Sequence, residues 1–135
     1  TPTKNMVQAE TYALLKDVGL VDQVHSVSGT LSYGFQKQLE LGITLASDPE
    51  ILLLDEPTAG MSPQETTNSI ALIERISRER GLTLLFTEHD MDVVFSVAEK
   101  ITVLHQGAVV AQGTPQEIKA NEQVQQIYLG EDAHA

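Results

Sequence analysis

Four consecutive aliphatic residues, Ile51-Leu52-Leu53-Leu54, stand between Pro49 and Pro57 and run directly into Asp55-Glu56. So short an apolar run, bounded by prolines, predicts a strand buried on both faces of a parallel sheet. The residues C-terminal to it fix the wiring. Ser62-Pro63-Gln64-Glu65 is a capping box, with Ser at the N-cap, Pro at the first helical position and Glu at N3. Ile70, Ile73 and Ile76 give that helix an apolar face, Gly81 ends it, and Leu82 to Thr87 reads as a second strand. A connection of this length accommodates a right-handed crossover, which makes the two strands parallel and points their carboxyl ends the same way. The pattern is α/β.

The flanking segments fit that class. Val7, Leu14, Leu15 and Val18 fall near one face of a helix from Asn5 to Val18, with Gly19 where a left-handed cap belongs. Leu20 to Thr30 has no clean period and reads as a connection. Phe35, Leu39, Gly42, Ile43 and Ala46 take the amphipathic spacing of a helix between Tyr33 and Ser47, stopped by Asp48-Pro49. Past the second strand come a helix from Asp90 to about Ala98 and a third strand, Ile101 to Leu104. Gln106-Gly107 leads to a hairpin-like return over Ala108 to Ala111. Thr114-Pro115-Gln116-Glu117 is a second capping box, opening a C-terminal helical segment. Within Ala120 to Ala135, Ile127, Tyr128 and Leu129 are expected to pack a short helix on the core.

Composition narrows the function. The 135 residues carry 19 acidic side chains against 8 Lys plus Arg, a formal charge of −11, which gives no general field for nucleic acid or anionic lipid. A phosphate ligand must therefore be held locally. With 41% hydrophobic residues the chain can build a core, and with no Cys it has neither disulfides nor thiolate metal sites.

Ligands of open α/β sheets bind at the carboxyl ends of the strands. Here the first strand ends in Asp55-Glu56 and the second in Glu88-His89, so Asp55, Glu56 and His89 are expected to share one cleft. Adjacent carboxylates suit a hard cation such as Mg²⁺ that keeps its waters. Asp55 would hold the ion, Glu56 would orient or deprotonate a water, and His89 would hydrogen-bond an oxyanion. The plainer reading is that solvated strand ends are often acidic and that a lone His is usually structural or exposed. The same plain reading applies to His25, His105 and His134.

Leu31-Ser32-Tyr33-Gly34-Phe35-Gln36 resembles the LSGGQ signature of ABC-type ATPases, and Ile51-Leu52-Leu53-Leu54-Asp55-Glu56-Pro57-Thr58 resembles their Walker B strand. Ala59-Gly60-Met61-Ser62-Pro63 falls at the family's D-loop and Thr87-Glu88-His89-Asp90 at its switch histidine. The four motifs occur in the family's order. The LSYG variant, the Met61-Ser62-Pro63-Gln64-Glu65-Thr66 continuation, Gly113-Thr114-Pro115 and Tyr128-Leu129-Gly130-Glu131 are most similar to the ATPase subunits of branched-chain (hydrophobic) amino-acid uptake systems.

This resemblance implies the P-loop NTPase fold of ABC ATPases, C-terminal part, with a mainly parallel sheet and flanking helices. Residues 1–48 would end the helical subdomain, 49–113 would form the C-terminal part of the ATPase core, and 114–135 a C-terminal helical segment. Asp55 would contact Mg²⁺ through water, Glu56 would polarise the attacking water, and His89 would contact the γ-phosphate. Ser32 and Gly34, with Gln36 compensating for Phe35 at the usual Gln position, would meet ATP bound by a second ATPase subunit, identical or not. Ala59 to Ser62 would line the boundary between subunits. Transmembrane permease subunits, and indirectly a substrate-binding protein, would be the other partners. Nucleic acid would not be one. The location would be cytoplasmic, on the inner face of the membrane.

The chain departs from the family at three positions: Tyr33 replaces the first signature Gly, Phe35 the usual Gln, and Ser62 a frequent Asp. Tyr33 would crowd a phosphate if it faced the ligand, but not if it faced the helix bundle. No G-x-x-x-x-G-K-[ST] occurs, and the Q-loop is also missing. Thr1 is accordingly expected to mark a truncation. The fragment alone is expected to be inactive and, lacking the central phosphate-loop strand, poorly stable. Two competing readings are a non-enzymatic half-domain that regulates a complete ABC ATPase, and an unrelated Mg²⁺-dependent hydrolase using Asp55 and Glu56 directly.

Overall fold

The computed structural model describes residues 3–129, which form two compact units, one running to Thr87 and the other beginning at Glu88. His134 and the Gly130-Glu131 end of the C-terminal motif lie outside the described residues.

In the first unit, helix α1 (Lys4–Asp17) starts at Thr3, whose hydroxyl accepts from Met6 N. α1 ends at Gly19, which takes a φ of 77°. Two short 3₁₀ turns, Val21–Gln23 and Ser28–Thr30, lead into α2 (Tyr33–Leu45). Strand β1 (Ile51–Asp55) follows, then α3 (Pro63–Arg80) and β2 (Thr83–Thr87). Both halves of the predicted capping box form at Ser62 and Glu65, and Gly81 closes α3 in the left-handed conformation. β1 and β2 are parallel, in register from Ile51 opposite Thr83 to Asp55 opposite Thr87.

Val18, Leu20, Leu41, Leu45, Leu52, Ile73 and Ile76 make the core of this unit, with Leu54, Leu82 and Leu84 packed against it. The Leu52 face of the sheet thus lies under side chains of α2 and α3. The opposite face is open: Ile51 is 57% exposed, Leu53 68% and its register partner Leu85 64%. The expectation of a strand buried on both faces is corrected, because only one face of this two-stranded sheet has helices to cover it. The apolar faces read for the first two helices also shift. Val7, Phe35 and Ile43 are exposed, whereas Leu41, Gly42 and Leu45 are buried. The reason is tertiary: Gly42 lets α2 approach Val18 so closely that a Cβ at position 42 would stand 3.3 Å from Val18 Cγ2. α3 holds the end of α1 as well, through Arg75 Nη2 donating to Asp17 O at 2.5 Å and Arg80 pairing with the Asp17 carboxylate at 2.8 Å.

The second unit contains α4 (Met91–Val97), β3 (Ile101–His105), β4 (Ala108–Gly113), α5 (Pro115–Ala120) and α6 (Glu122–Val124), continuing into a π-helical turn over Gln125–Leu129. β3 and β4 form an antiparallel hairpin whose turn residues Gln106 and Gly107 both have positive φ, 49° and 79°, as a tight hairpin requires. The Thr114–Glu117 capping box forms as predicted. Ile118 and Val124 are fully buried, and the Tyr128 hydroxyl donates to Leu104 O, so the C-terminal segment packs as expected through Tyr128. His105 meets the Tyr128 ring edge-on, its centroid 6.3 Å away, which is the structural role anticipated for it. His25 is exposed in the first unit. Among the described residues no helix is long and apolar enough to cross a membrane.

Candidate functional site

Asp55 is the last residue of β1, and strand register places Thr87 beside it. The Thr87 hydroxyl donates to Asp55 Oδ1 and also accepts from the backbone N–H of Glu56 at 3.2 Å, while Thr87 O accepts from the same N–H at 3.0 Å. One side chain on β2 therefore fixes both the Asp55 carboxylate and the point at which the chain leaves β1. Glu56 then turns sharply, with a φ of 44°. That left-handed conformation costs a non-glycine residue about 1–3 kcal/mol, a strain that clusters at functional sites. The turn is closed by Ala59 N donating to Glu56 O at 3.1 Å and Met61 N to Thr58 O at 3.1 Å. A cleft of about 200 Å³ opens beside it, with Lys37 and Glu40 of α2, Leu54, Asp55 and Glu56 of the β1 end, and Ile73 of α3 in its walls. Glu40 forms a 3.0 Å ion pair with Lys37, and its hydrogen bond raises the lysine above the ordinary 10.5.

A magnesium ion that retains waters needs only one or two protein carboxylates. Among the described residues, no group of three His, Cys, Asp or Glu forms a metal cage. The Asp55 carboxylate, exposed and oriented at the strand end, fits the more modest requirement.

The signature segment lies in the same unit. Ser32 is the N-cap of α2, its Oγ accepting from Phe35 N at 3.3 Å. An accepting hydroxyl keeps its own proton to donate. Gln36 sends its amide to Ser28 O at 3.4 Å, bracing the turn before the signature loop. Ser62 is likewise an N-cap, accepting from Glu65 N at 3.3 Å and donating its own N–H to Glu65 Oε2 at 2.9 Å. Tyr33 packs toward the 59–60 segment of its own unit. Its ring lies against Gly60 and its hydroxyl donates to Ala59 O at 3.1 Å.

Asp55, Glu56, Ser32, Gly34, Gln36 and Ser62 thus belong to the first unit. His89 stands in the second, exposed, just before α4, whose N-cap Asp90 accepts from Asp92 N and Val93 N. Sequence reasoning missed Thr87 as a site residue. Its local signals are a hydroxyl at the end of β2 and its place at the start of Thr87-Glu88-His89-Asp90, but its hold on Asp55 depends on a register partner 32 residues away.

A family model described as ABC transporter matches residues 1–59, and one described as branched-chain amino acid ATP-binding cassette transporter matches residues 108–134. The high-affinity branched-chain amino acid transport ATP-binding protein BraF of Pseudomonas aeruginosa is 44% identical over 117 residues, which is 87% of this chain and 46% of BraF. The high-affinity branched-chain amino acid transport ATP-binding protein LivG of Escherichia coli K12 is 37% identical over 135 residues, covering 97% of this chain and 53% of LivG. Among solved structures, the ADP conformation of MJ1267, an ATP-binding cassette of an ABC transporter, matches with a TM-score of 0.83 at 25% identity, over 96% of this chain and 52% of that one. CbiO1 from Clostridium perfringens, part of the transporter complex cbiONQ, matches with a TM-score of 0.83 at 27% identity, over 99% and 55%. The chain spans about half the length of the curated relatives it matches.

Proposed function

We propose that this chain is a member of the ABC transporter family of ATP-binding subunits, closely related to its branched-chain amino-acid uptake branch, and that it supplies the Walker B, D-loop and signature parts of an importer ATPase. The observation that carries this is the end of β1, where Thr87 fixes the Asp55 carboxylate and Glu56 leaves the strand in a strained turn. In this reading residues 1–48 end the helical subdomain, 49–113 belong to the ATPase core and 114–135 form a C-terminal helical segment. The complete subunit pairs with a second one, docks on transmembrane permease subunits at the inner face of the membrane, and drives uptake of branched-chain or other hydrophobic amino acids delivered by a binding protein.

Mg²⁺, when bound with ATP, neutralises developing phosphate charge. The residues of this chain would take the following parts. Asp55, its carboxylate fixed by Thr87, would hold the ion through water. Glu56 accepts a proton from the water that attacks the γ-phosphorus, and His89 donates to the γ-phosphate. Ser32 and the backbone at Gly34, at the N-terminus of α2, donate to the γ-phosphate of ATP held by the partner subunit, where the helix dipole favours negative charge. Gln36 steadies that loop through Ser28, and Ser62 sets the α3 end of the D-loop.

In the complete subunit, Glu56→Gln is expected to lower steady-state ATP hydrolysis by at least about 100-fold, the scale of a lost general base, with nucleotide binding retained. Turnover near the unsubstituted level would remove Glu56 from this role.

A further inference from the structure

Tyr33 stands where the signature usually has a glycine, and the structure gives its side chain a specific place. It is the first residue of α2, beside the N-cap Ser32. Its hydroxyl donates to Ala59 O at 3.1 Å, joining positions 26 residues apart. The ring lies along Gly60, where an added Cβ would sit 3.9 Å from both Cε1 and the hydroxyl oxygen. Lys37 Nζ stands 5.5 Å from the ring centroid, within cation–π range, and is itself paired with Glu40. The neighbouring Gly34 approaches the same segment: a Cβ there would be 3.5 Å from Glu65 Oε1, whose carboxylate closes the α3 capping box through Ser62 N. The start of α2 and the 59–65 segment therefore touch at two places, and the Tyr33 phenol supplies the hydrogen bond between them.

We propose that Tyr33 is a positioning residue: its phenol ties the 59–61 loop to the N-terminus of α2, so that the two segments facing the second ATPase subunit hold one mutual geometry. Resting on the ATPase reading above, this gives the residue a role in turnover without placing it on the nucleotide. The Ala59 carbonyl it holds sits within the pair of turns closed by the Ala59 and Met61 amides, so loosening the phenol loosens those amides.

The test is Tyr33→Phe in the complete subunit, which keeps the ring against Gly60 and beneath Lys37 and removes only the hydroxyl. Two quantities are read: hydrogen exchange at the Ala59 and Met61 amides without nucleotide, and kcat and KM for ATP. Exchange at both amides is expected to quicken and kcat to fall, each about three- to tenfold, the range one net hydrogen bond carries, with KM unchanged. Unaltered exchange at both amides overturns the proposal, as does an unaltered kcat with quickened exchange. Failure of the ATPase reading has a different signature, full turnover in Glu56→Gln, and the exchange measurement still decides whether the strut exists.

Discussion

Thr87 holds Asp55 and the Glu56 backbone with a single hydroxyl, so a one-atom change separates positioning from chemistry. Thr87→Val keeps the volume and β-branching of the side chain while releasing the Asp55 carboxylate. In the complete subunit, the Mg²⁺ concentration needed for half-maximal nucleotide binding is expected to rise about tenfold, as when a residue supporting a metal ligand is lost. An unchanged Mg²⁺ titration would show that Thr87 does not orient Asp55. The carboxylate pair itself was legible in the sequence, because a short aliphatic run ending in Asp-Glu announces a strand end. Thr87 was not, since its significance arises only when β1 and β2 align. The same holds for Tyr33, whose partner Ala59 lies across a tertiary contact.

Among the elements, those defined by local chemistry were read from sequence alone. Both capping boxes form at the predicted residues, Gly19 takes the expected positive φ, and Gly81 ends its helix and Gln106-Gly107 turns the hairpin where expected. Ser62→Ala is accordingly expected to destabilise the protein by about 1 kcal/mol through loss of the α3 cap, measured by denaturant unfolding of the complete subunit. What was misread is which face of a helix is buried, as in α2, where Ile43 fits the helical period but points to solvent. Periodicity gives a set of compatible faces, and the neighbour, here Val18 against Gly42, selects one. The two arginines of α3 that reach the end of α1 differ in a similar way. Arg75 donates to the Asp17 main-chain carbonyl through a partly buried hydrogen bond, whereas Arg80 pairs with the Asp17 carboxylate, whose side chain is 40% exposed. Arg75→Ala is expected to cost about 1.5–3 kcal/mol and Arg80→Ala less than about 1 kcal/mol. Equal losses in unfolding experiments would contradict that ranking.

For the whole molecule, the sheet face bearing Ile51, Leu53 and Leu85 matters most. A patch of large aliphatic side chains on a two-stranded sheet is a liability for association. These 135 residues expressed alone are expected to bind a hydrophobic dye and to run as heterogeneous assemblies. A monodisperse monomer with a cooperative, high-temperature unfolding transition would contradict this. The signature and Walker B segments are expected to serve two nucleotides shared between two subunits. The most direct measurement is the mass, by sedimentation equilibrium, of the complete Glu56→Gln subunit with and without MgATP. A monomer is expected without nucleotide and a stable dimer with it, a dimer that Ser32→Arg, placing bulk and charge at the N-terminus of α2, abolishes. A protein that binds MgATP and remains monomeric, or a dimer indifferent to Ser32→Arg, would contradict it.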